Sequence, residues 1–508
     1  PFLAGLGRRG AVVDRIYTVV PHTTKALVSI LCGTYPYLEP PVKESIPGIM
    51  PPRGLAHLLR REGYATAFFQ TANNYEGRRQ VVANMGFEEF KGVFDMPAEG
   101  FSDTNYFGKE ERMMLGPSLD WVDARRGQPF FLTYLTLCTH HNYETPPTWP
   151  AIDFGVNNPT LNQYLNAVRY TDEFLKEVLG EFEKRGLAEN TLFIVVGDHG
   201  EAFGEHGEKG HNITLYEEGI RTLAVLYAPG RIPPTTVIHG TRSILDIVPT
   251  VCDFLGLRVK EGKFVGASLL GPVPADRKLY LSAWSRHAGL AMRRGPEKTI
   301  LWPMKEKSEV FDNDRDPLDQ HGLAGQGDNG GAAPASVGED MNRWADIVTA
   351  QYLEWEKGTK DAAALTPPEM RNEAHGTFGG LVSLAGYEAY PTETPRRRNV
   401  WLKLAFKSEA RILRPLILAV TLVHPSGKTR SWVVSVEALD RYEKLEPGKY
   451  FAAETFIGMP ADWPLGDSDL YVGIQDKRSR KLLSLTGAEG APGAPNAGVR
   501  LRTLTIME

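Results

Sequence analysis

The sequence predicts an α/β fold: a mostly parallel sheet covered by helices on both faces, followed by a linker and a small antiparallel β-sandwich. Three observations carry that prediction. From Phe2 to Ala283, strand-length apolar runs alternate with helical patterns, the arrangement of a parallel sheet buried on both faces. Three of those strands run straight into polar segments that carry hydroxyl, imidazole or carboxylate groups, as at the ligand-binding edge of open α/β sheets. From about Gly376 the texture changes to short alternating runs separated by turns such as Pro425-Ser-Gly and Glu446-Pro-Gly, which suggests a sandwich.

Taken in order, Phe2 to Arg9 reads as a helix and Ala11 to Val20 as a strand. Pro21-His22-Thr23-Thr24-Lys25 then opens an apolar helix that stops at Gly33, with Thr23 or Thr24 where an N-cap belongs. Gly54 to Glu62 and Gln80 to Met85 read as helices, with the short strand Ala65–Gln70 between them. Pro129 to Leu137 is a buried strand that ends in Cys138-Thr-His140-His141. A long amphipathic helix, about Leu161 to Arg185, stops at Gly186. The strand Leu192–Val196 follows, then Gly197-Asp198-His199-Gly200-Glu201, then His206, Lys209 and His211, and the apolar run Leu223 to Ala228. A helix near Ser243 to Leu255 and a strand at Lys278 to Ala283 complete the alternation. We read residues 1–322 as one catalytic-type domain, 323–375 as a linker with a helix from Met341 to Lys357, and 376–508 as the sandwich. The Gly/Ala/Pro-rich stretch 324–338 is the linker proper.

At 508 residues, two or three domains are expected. A net charge of −5 gives no nucleic-acid footprint. Cys32, Cys138 and Cys252 are odd in number and widely spaced, so they form neither a disulfide framework nor a metal-type motif. No apolar run reaches the ~18 residues of a membrane span. The chain opens on Pro1 without an initiator Met, and we expect the natural protein to extend upstream.

Thr23, His140 and Asp198/His199 stand at three strand ends and can build one site from residues far apart in sequence. Asp198 and His199 are oxygen and nitrogen donors suited to a divalent cation. A threonine hydroxyl is a poor nucleophile until a dication and a helix N-terminus lower the cost of its alkoxide. Thr23, Asp198 and His199 are therefore the candidate metal ligands. His140 and His211 are candidates to hold non-bridging oxygens or to protonate a leaving oxygen, and Lys209, Thr24 and Lys25 to touch an anionic ester. His141 and His206 read as surface histidines.

The order of these segments resembles the sulfatase branch of the alkaline phosphatase superfamily, and within it the lipoteichoic-acid-synthase-like and phosphoethanolamine-transferase-like proteins. Thr23 stands ten residues before Gly33 of Leu31-Cys-Gly-Thr-Tyr-Pro36, where that family keeps its nucleophile. Asp198-His199-Gly-Glu and Leu215-Tyr-Glu-Glu resemble its second metal-binding motif and the helix after it, and Phe311-Asp-Asn-Asp-Arg-Asp-Pro resembles a closing motif. The resemblance covers about residues 1–320. It implies a metal-dependent hydrolase or transferase acting on an anionic ester through Thr23, with Mn, Zn, Mg or Ca as the cofactor. It further implies a periplasmic or extracytoplasmic location, membrane association through an N-terminal region ahead of Pro1, and a lipid- or glycan-linked substrate.

Two departures shape the expectation. Sulfatases proper mature a Cys or Ser in a Cys/Ser-x-Pro-x-Arg context to formylglycine. Here the position reads Thr23-Thr-Lys-Ala-Leu, so no formylglycine is expected and the substrate moves from sulfate towards phosphate esters. The family also takes an acidic ligand from a first strand that would lie upstream of Pro1. The competing expectations are a sulfuric ester hydrolase and an inactive, sulfatase-like binding protein.

Overall fold

The computed structural model describes residues 1–51, 53–257, 264–322, 334–357, 359, 370–436, 439, 445–487 and 498–507. The chain divides into two compact units: Pro1–Asn105 with Lys109–Gly358, and Tyr106–Gly108 with Thr359–Glu508. Most of the predicted linker falls outside the described residues.

In the first unit, α1 (Phe2–Arg9) leads into β1 (Ala11–Tyr17) and α2 (Thr23–Cys32), which ends at Gly33 in the left-handed conformation a helix stop requires (φ 62°). Next come α3 (Leu55–Arg61), β2 (Ala65–Gln70), α4 (Arg78–Asn84), β3 (Glu89–Lys91) and α5 (Leu115–Asp123). They are followed by β4 (Phe130–Leu135), the long α6 (Pro159–Lys184) and β5 (Phe193–Val196). The chain then makes α7 (Glu217–Ile220), β6 (Arg221–Thr222), β7 (Ala224–Tyr227), β8 (Thr236–Ser243) and α8 (Ile247–Phe254). It closes with the meander β9 (Lys278–Ser282), β10 (Leu290–Arg294), β11 (Glu297–Trp302) and β12 (Lys307–Asp312), and then α9 (Ala335–Lys357).

The expectation of a mostly parallel sheet needs correction. One sheet, β3-β2-β4, is parallel throughout. The sheet built on β1 is mixed: β8 runs parallel to β1, but β6 and β7 pair with it antiparallel, and β5 pairs antiparallel with β7. The reason lies between Val196 and Ala224. That connection carries only the four-residue α7, too short to form the crossover helix that a parallel return needs.

The edges of β4 and β5 are unusual for apolar strands. Every residue of Phe130–Leu135 and Phe193–Val196 is only half buried. Among the described residues β4 pairs with β2 and β5 with β7, and neither pairs with the other. Helix α6 covers both, since Phe182 lies 6.0 Å from Phe130 and 5.4 Å from Phe193. On the opposite face Phe131 and Ile194 pack on the same cluster as Leu55, Leu59 and Val248.

Helix α9 groups with the first unit. Its buried side chains Met341, Trp344, Ala345, Val348 and Tyr352 fall at helical spacing, and Trp344 meets Tyr35 and Tyr280.

A buried ionic network fixes α7 to the meander. Arg293 and Lys298, both fully buried, each donate to Glu217 at 3.0 Å; Lys298 also pairs with Asp319, and Asn313 links Arg293 to Asp319. The Phe311–Pro317 motif thus supplies structure, because Asn313 is one of its residues. Lys298→Met leaves two buried carboxylates short of a partner and is expected to cost about 3–5 kcal/mol in a denaturant melt; a change below about 1 kcal/mol would show the network to be dispensable.

In the second unit, one antiparallel sheet orders Tyr450–Gly458, Asn399–Ser408, Val382–Tyr390, Gly376–Phe378 and Leu485–Thr486. The other orders Glu393–Pro395, Val499–Met507, Gly466–Asp476, Leu416–Val423 and Thr429–Val434, antiparallel except for its first pair. Inward residues of both sheets, such as Leu402, Leu404, Leu418 and Val472, share one core, which makes a sandwich.

Candidate active site

Thr23 is the first residue of α2. Contrary to expectation neither threonine caps the helix. The cap position is His22 in extended backbone, with no side-chain cap, and the first helical bond runs from Ala26 N to His22 O. The amides ahead of that bond point out of the N-terminus beside Thr23, where they favour negative charge.

β5 ends one residue before Gly197, and Asp198 and His199 follow. Thr23 Oγ1 lies 3.4 Å from His199 Nε2, and Asp198 Oδ2 lies 3.3 Å from the same nitrogen. His199 Nδ1 donates to Gly200 O at 2.8 Å, which fixes the tautomer and leaves the Nε2 lone pair turned towards Thr23 and Asp198. Gly200 has a steric reason: a Cβ there would stand 2.0 Å from Glu218 O. Asp198 is partly buried. Burial works against its charge, but His199 and the Thr23 hydroxyl more than offset it and hold the carboxyl below its ordinary value.

Three further imidazoles gather beside this pair. The His211 ring lies 4.3 Å from His199, 5.7 Å from His140 and 6.2 Å from His141. His141, read from sequence as a surface residue, is therefore part of the cluster. The loop after β4 that carries His140 and His141 is held from behind by buried Glu111, which accepts from Leu137 N and Cys138 N at 2.9 and 2.7 Å. His140 Nδ1 donates to His141 O at 2.8 Å, and His211 Nδ1 donates to Glu201 at 3.0 Å. His140, His199 and His211 thus share one tautomer, with Nε2 as the lone-pair nitrogen.

The structure separates the remaining sequence candidates. Lys25 Nζ is fully buried against Glu44 at 2.8 Å, over the rings of Tyr37 and Trp284, which makes it a core ion pair rather than a group that meets substrate. Thr24, also fully buried, donates to Glu76. Lys209 is exposed on the short strand Lys209–Gly210, which pairs with Ala202–Phe203. His206 stacks on Tyr216 and bonds Glu218 and Asp319 O through its two nitrogens, which is a structural role.

Sequence reasoning missed Glu76, Arg78, Glu111 and Glu201. Arg78 is 7% exposed, feels the charges of Glu76 and Asp198, and has a buried Nη1 with no hydrogen-bond partner among the described residues. An unsatisfied buried guanidinium beside the carboxylate of a candidate metal ligand suits an anionic ester oxygen. A signal was available: Arg78 and Arg79 open α4, where the helix dipole disfavours cations.

Three donors converge, Thr23 Oγ1, Asp198 and His199 Nε2, and their types fit a divalent cation. Among the described residues no three His, Cys, Asp or Glu side chains form a metal-holding group, so Thr23 would have to serve as the third ligand.

The cluster also sets how stability varies with pH. Burial, with His211 beside it, lowers His141 to about 4, and burial, with His199 and His22, lowers His211 to about 3. Burial and its neighbouring imidazoles push His140 down as well. Each imidazole leaves stability intact above its unfolded value of about 6.5 and takes it away as pH falls. Glu201 acts in the opposite sense. Burial raises it to about 7 against the pull of His199 and His141, so its contribution is present in acid and lost as pH rises through 7. In the metal-free protein Glu201→Gln removes that opposing contribution. Its melting temperature should fall more steeply than wild type between pH 6.5 and 4; equal slopes would refute this.

A hydroxyl on a helix N-terminus beside an Asp–His pair at a strand end is the arrangement that the resemblance to the alkaline phosphatase superfamily implies. Solved structures support the fold. The lipoteichoic acid synthase LtaP from Listeria monocytogenes matches with a TM-score of 0.56 at 17% identity, over 71% of this chain and 86% of that one. An alkaline phosphatase superfamily protein from Vibrio parahaemolyticus matches with a TM-score of 0.56 at 19% identity, over 70% and 82%. The Sulfatase family model matches residues 1–257, half of the chain, and the protein belongs to that family. Among curated relatives, the lipoteichoic acid synthase of Staphylococcus saprophyticus is 25% identical over 226 residues, 42% of this chain and 34% of the relative. The N-acetylgalactosamine-6-sulfatase of Canis lupus familiaris is 26% identical over 215 residues, 39% of this chain and 40% of the relative. The matches thus span well under two thirds of these relatives.

Proposed function

We propose that the protein is a metal-dependent hydrolase or transferase of phosphate esters, a phosphodiester or a phospho-headgroup, that works through a phospho-Thr23 intermediate. The observation that carries the reading is the approach of Thr23 Oγ1 to His199 Nε2 at the N-terminus of α2, beside Asp198. Thr23, Asp198 and His199 would hold a divalent ion (Mn, Zn, Mg or Ca), which when bound lowers the pKa of the hydroxyl and polarises the ester.

Thr23 Oγ, losing its proton to one of the neutral imidazoles beside it, would form the new bond to phosphorus as the bond to the leaving oxygen breaks, and that imidazolium would return the proton to the leaving oxygen, while Arg78 and the first-turn amides of α2 face the non-bridging oxygens. His140 and His211 are neutral near pH 7 and present lone pairs at Nε2. In that state they accept protons rather than donate them, and charge on a bound ester raises their proton affinity. Water or an acceptor hydroxyl, losing its proton to one of them, would then take the phosphoryl group from Thr23 as a phosphate monoester or a new phosphodiester, and the proton would restore the Thr23 hydroxyl.

By resemblance to the family, a further acidic ligand would complete the cation's oxygen set. By resemblance to relatives named lipoteichoic acid synthases, the ester is lipid- or glycan-linked and the protein acts outside the cytoplasm, in association with a membrane. No helix among the described residues is long and apolar enough to cross one.

Sulfate-ester hydrolysis is the second reading, favoured by the match to the N-acetylgalactosamine-6-sulfatase. Against it, Thr23 occupies the nucleophile position, and Cys32 is buried in α2 with its thiol pushed up to about 12 by burial. The deciding experiment incubates the full-length protein with Mn²⁺ and bis(p-nitrophenyl) phosphate, quenches in acid and maps the adduct by mass spectrometry. Modification of the peptide carrying Thr23 is expected. Turnover of p-nitrophenyl sulfate well above the phosphodiester, with no adduct on Thr23, would overturn the reading.

A further inference from the structure

One carboxylate holds the residues on both sides of Thr23. Glu76 Oε2 accepts from Thr24 Oγ1 at 2.5 Å, and Glu76 Oε1 lies 3.3 Å from His22 Nε2. The Glu76 side chain is 9% exposed, so this clamp is screened from water. The far side of His22 packs on Trp284, ring centroids 3.7 Å apart.

The carboxylate reaches α2 from the turn Tyr75–Gly77, and the backbone there is strained. Glu76 sits at φ 55° and ψ 24°, the left-handed region that suits glycine and disfavours a β-carbon, and Gly77 follows at φ 65°. Neighbouring side chains over-determine the turn: Asn73 Oδ1 accepts from Tyr75 N at 2.9 Å and Asn74 Oδ1 from Arg79 N at 2.8 Å. A non-glycine residue kept in this conformation signals that its side chain is needed there. On α2 the need is evident, because no side chain of its own segment caps the first turn.

We infer that Glu76 is a positioning residue for the nucleophile: it fixes the first turn of α2 through His22 and Thr24 and so aims Thr23 Oγ1 at His199 Nε2. This rests on the reading of Thr23 as nucleophile. A loosened first turn lets the hydroxyl swing away from the line of attack, and misplacements of about 1 Å cost about 10²-fold in rate. The clamp also accounts for the polar side chains of Thr24 and His22.

The test measures steady-state kinetics of the full-length protein with Mn²⁺ and bis(p-nitrophenyl) phosphate, with rates normalised to the sites that form the covalent adduct. Glu76→Gly keeps the left-handed turn and removes the clamp, and should lower kcat by about 10²-fold with KM within about threefold. Glu76→Gln keeps an acceptor for Thr24 and a group that reaches His22, and should recover most of that loss. Thr24→Val removes the hydroxyl from the other side without touching the strained turn, and should lower kcat by about tenfold. A wild-type kcat per adduct-forming site in both Glu76→Gly and Thr24→Val would overturn the inference, as would a loss confined to KM. Thr23→Ala serves as the control that separates the two readings: full turnover in that variant defeats the nucleophile assignment itself, whereas an inert Thr23→Ala beside a fully active Glu76→Gly defeats only the clamp.

Discussion

Asp198→Asn in the full-length protein is expected to lower phosphodiester turnover by about 10³-fold or more and to reduce bound divalent metal, read by elemental analysis after gel filtration. The substitution is chosen to leave the local backbone intact. Asp198 Oδ1 accepts from His199 N at 3.0 Å, and the amide oxygen of Asn accepts the same bond. What the variant loses is the charge, which counters a cation and which His199 and the Thr23 hydroxyl hold in its ionised form against the cost of partial burial. The metal-free protein should lose at neutral pH only the modest stability that the depressed carboxyl represents, while metal content and rate fall together. Wild-type metal content in both Asp198→Asn and His199→Gln, with no turnover in the unmodified protein, would instead favour an inactive, sulfatase-like binding protein.

The elements with clear local periodicity were legible in the sequence. Phe2–Arg9 forms the helix its pattern predicts, the long helix runs Pro159–Lys184 against an expected Leu161 to Arg185, and the strand ending before Asp198 runs Phe193–Val196. The sandwich strands follow their alternation in the same way, as at Leu416–Val423. Strand direction was not legible. Alternation of strands and helices implied parallel pairing, but the run Ala224–Tyr227 returns without a crossover helix and pairs antiparallel to both its neighbours. Pairing is a property of connections, and the segment from Gly197 to Leu223 is spent on the site loop rather than on a helix.

The site shows the same limit. Thr23, Asp198, His199, His140 and His211 stand at strand ends or just beyond, and the structure brings them together. Glu76, Arg78 and Glu111 reach the same region from turns and helix starts, where no period marks a functional side chain. Lys25 illustrates the converse. One residue beyond Thr24 on the first turn of α2, it carries the charge a phosphate would want, yet its direction is set by Glu44, nineteen positions away and fully buried. A side chain on the first turn of a helix can face ligand or core, and only the long-range partner decides.

Thr23→Ala should lower phosphodiester turnover by about 10³-fold or more and abolish the covalent adduct, while Thr23→Ser keeps both within about tenfold. At the first residue of α2 the hydroxyl faces amides that carry no helical bond, and 3.4 Å away stands an imidazole nitrogen whose proton has been fixed on the far side of its ring. Alanine preserves the helix start, since no side-chain cap is lost there, so folding should stay near wild type, while the loss of one of the three metal donors lowers metal content. Serine keeps the nucleophilic oxygen and loses the methyl group that restricts χ1, which costs aim rather than chemistry. The two alternatives diverge at this residue. If Thr23 only ligates the cation and water attacks directly, Thr23→Ala weakens metal binding and leaves a residual rate that rises with added Mn²⁺. If Thr23 is the nucleophile, added metal rescues nothing, because the atom that must bond to phosphorus is gone.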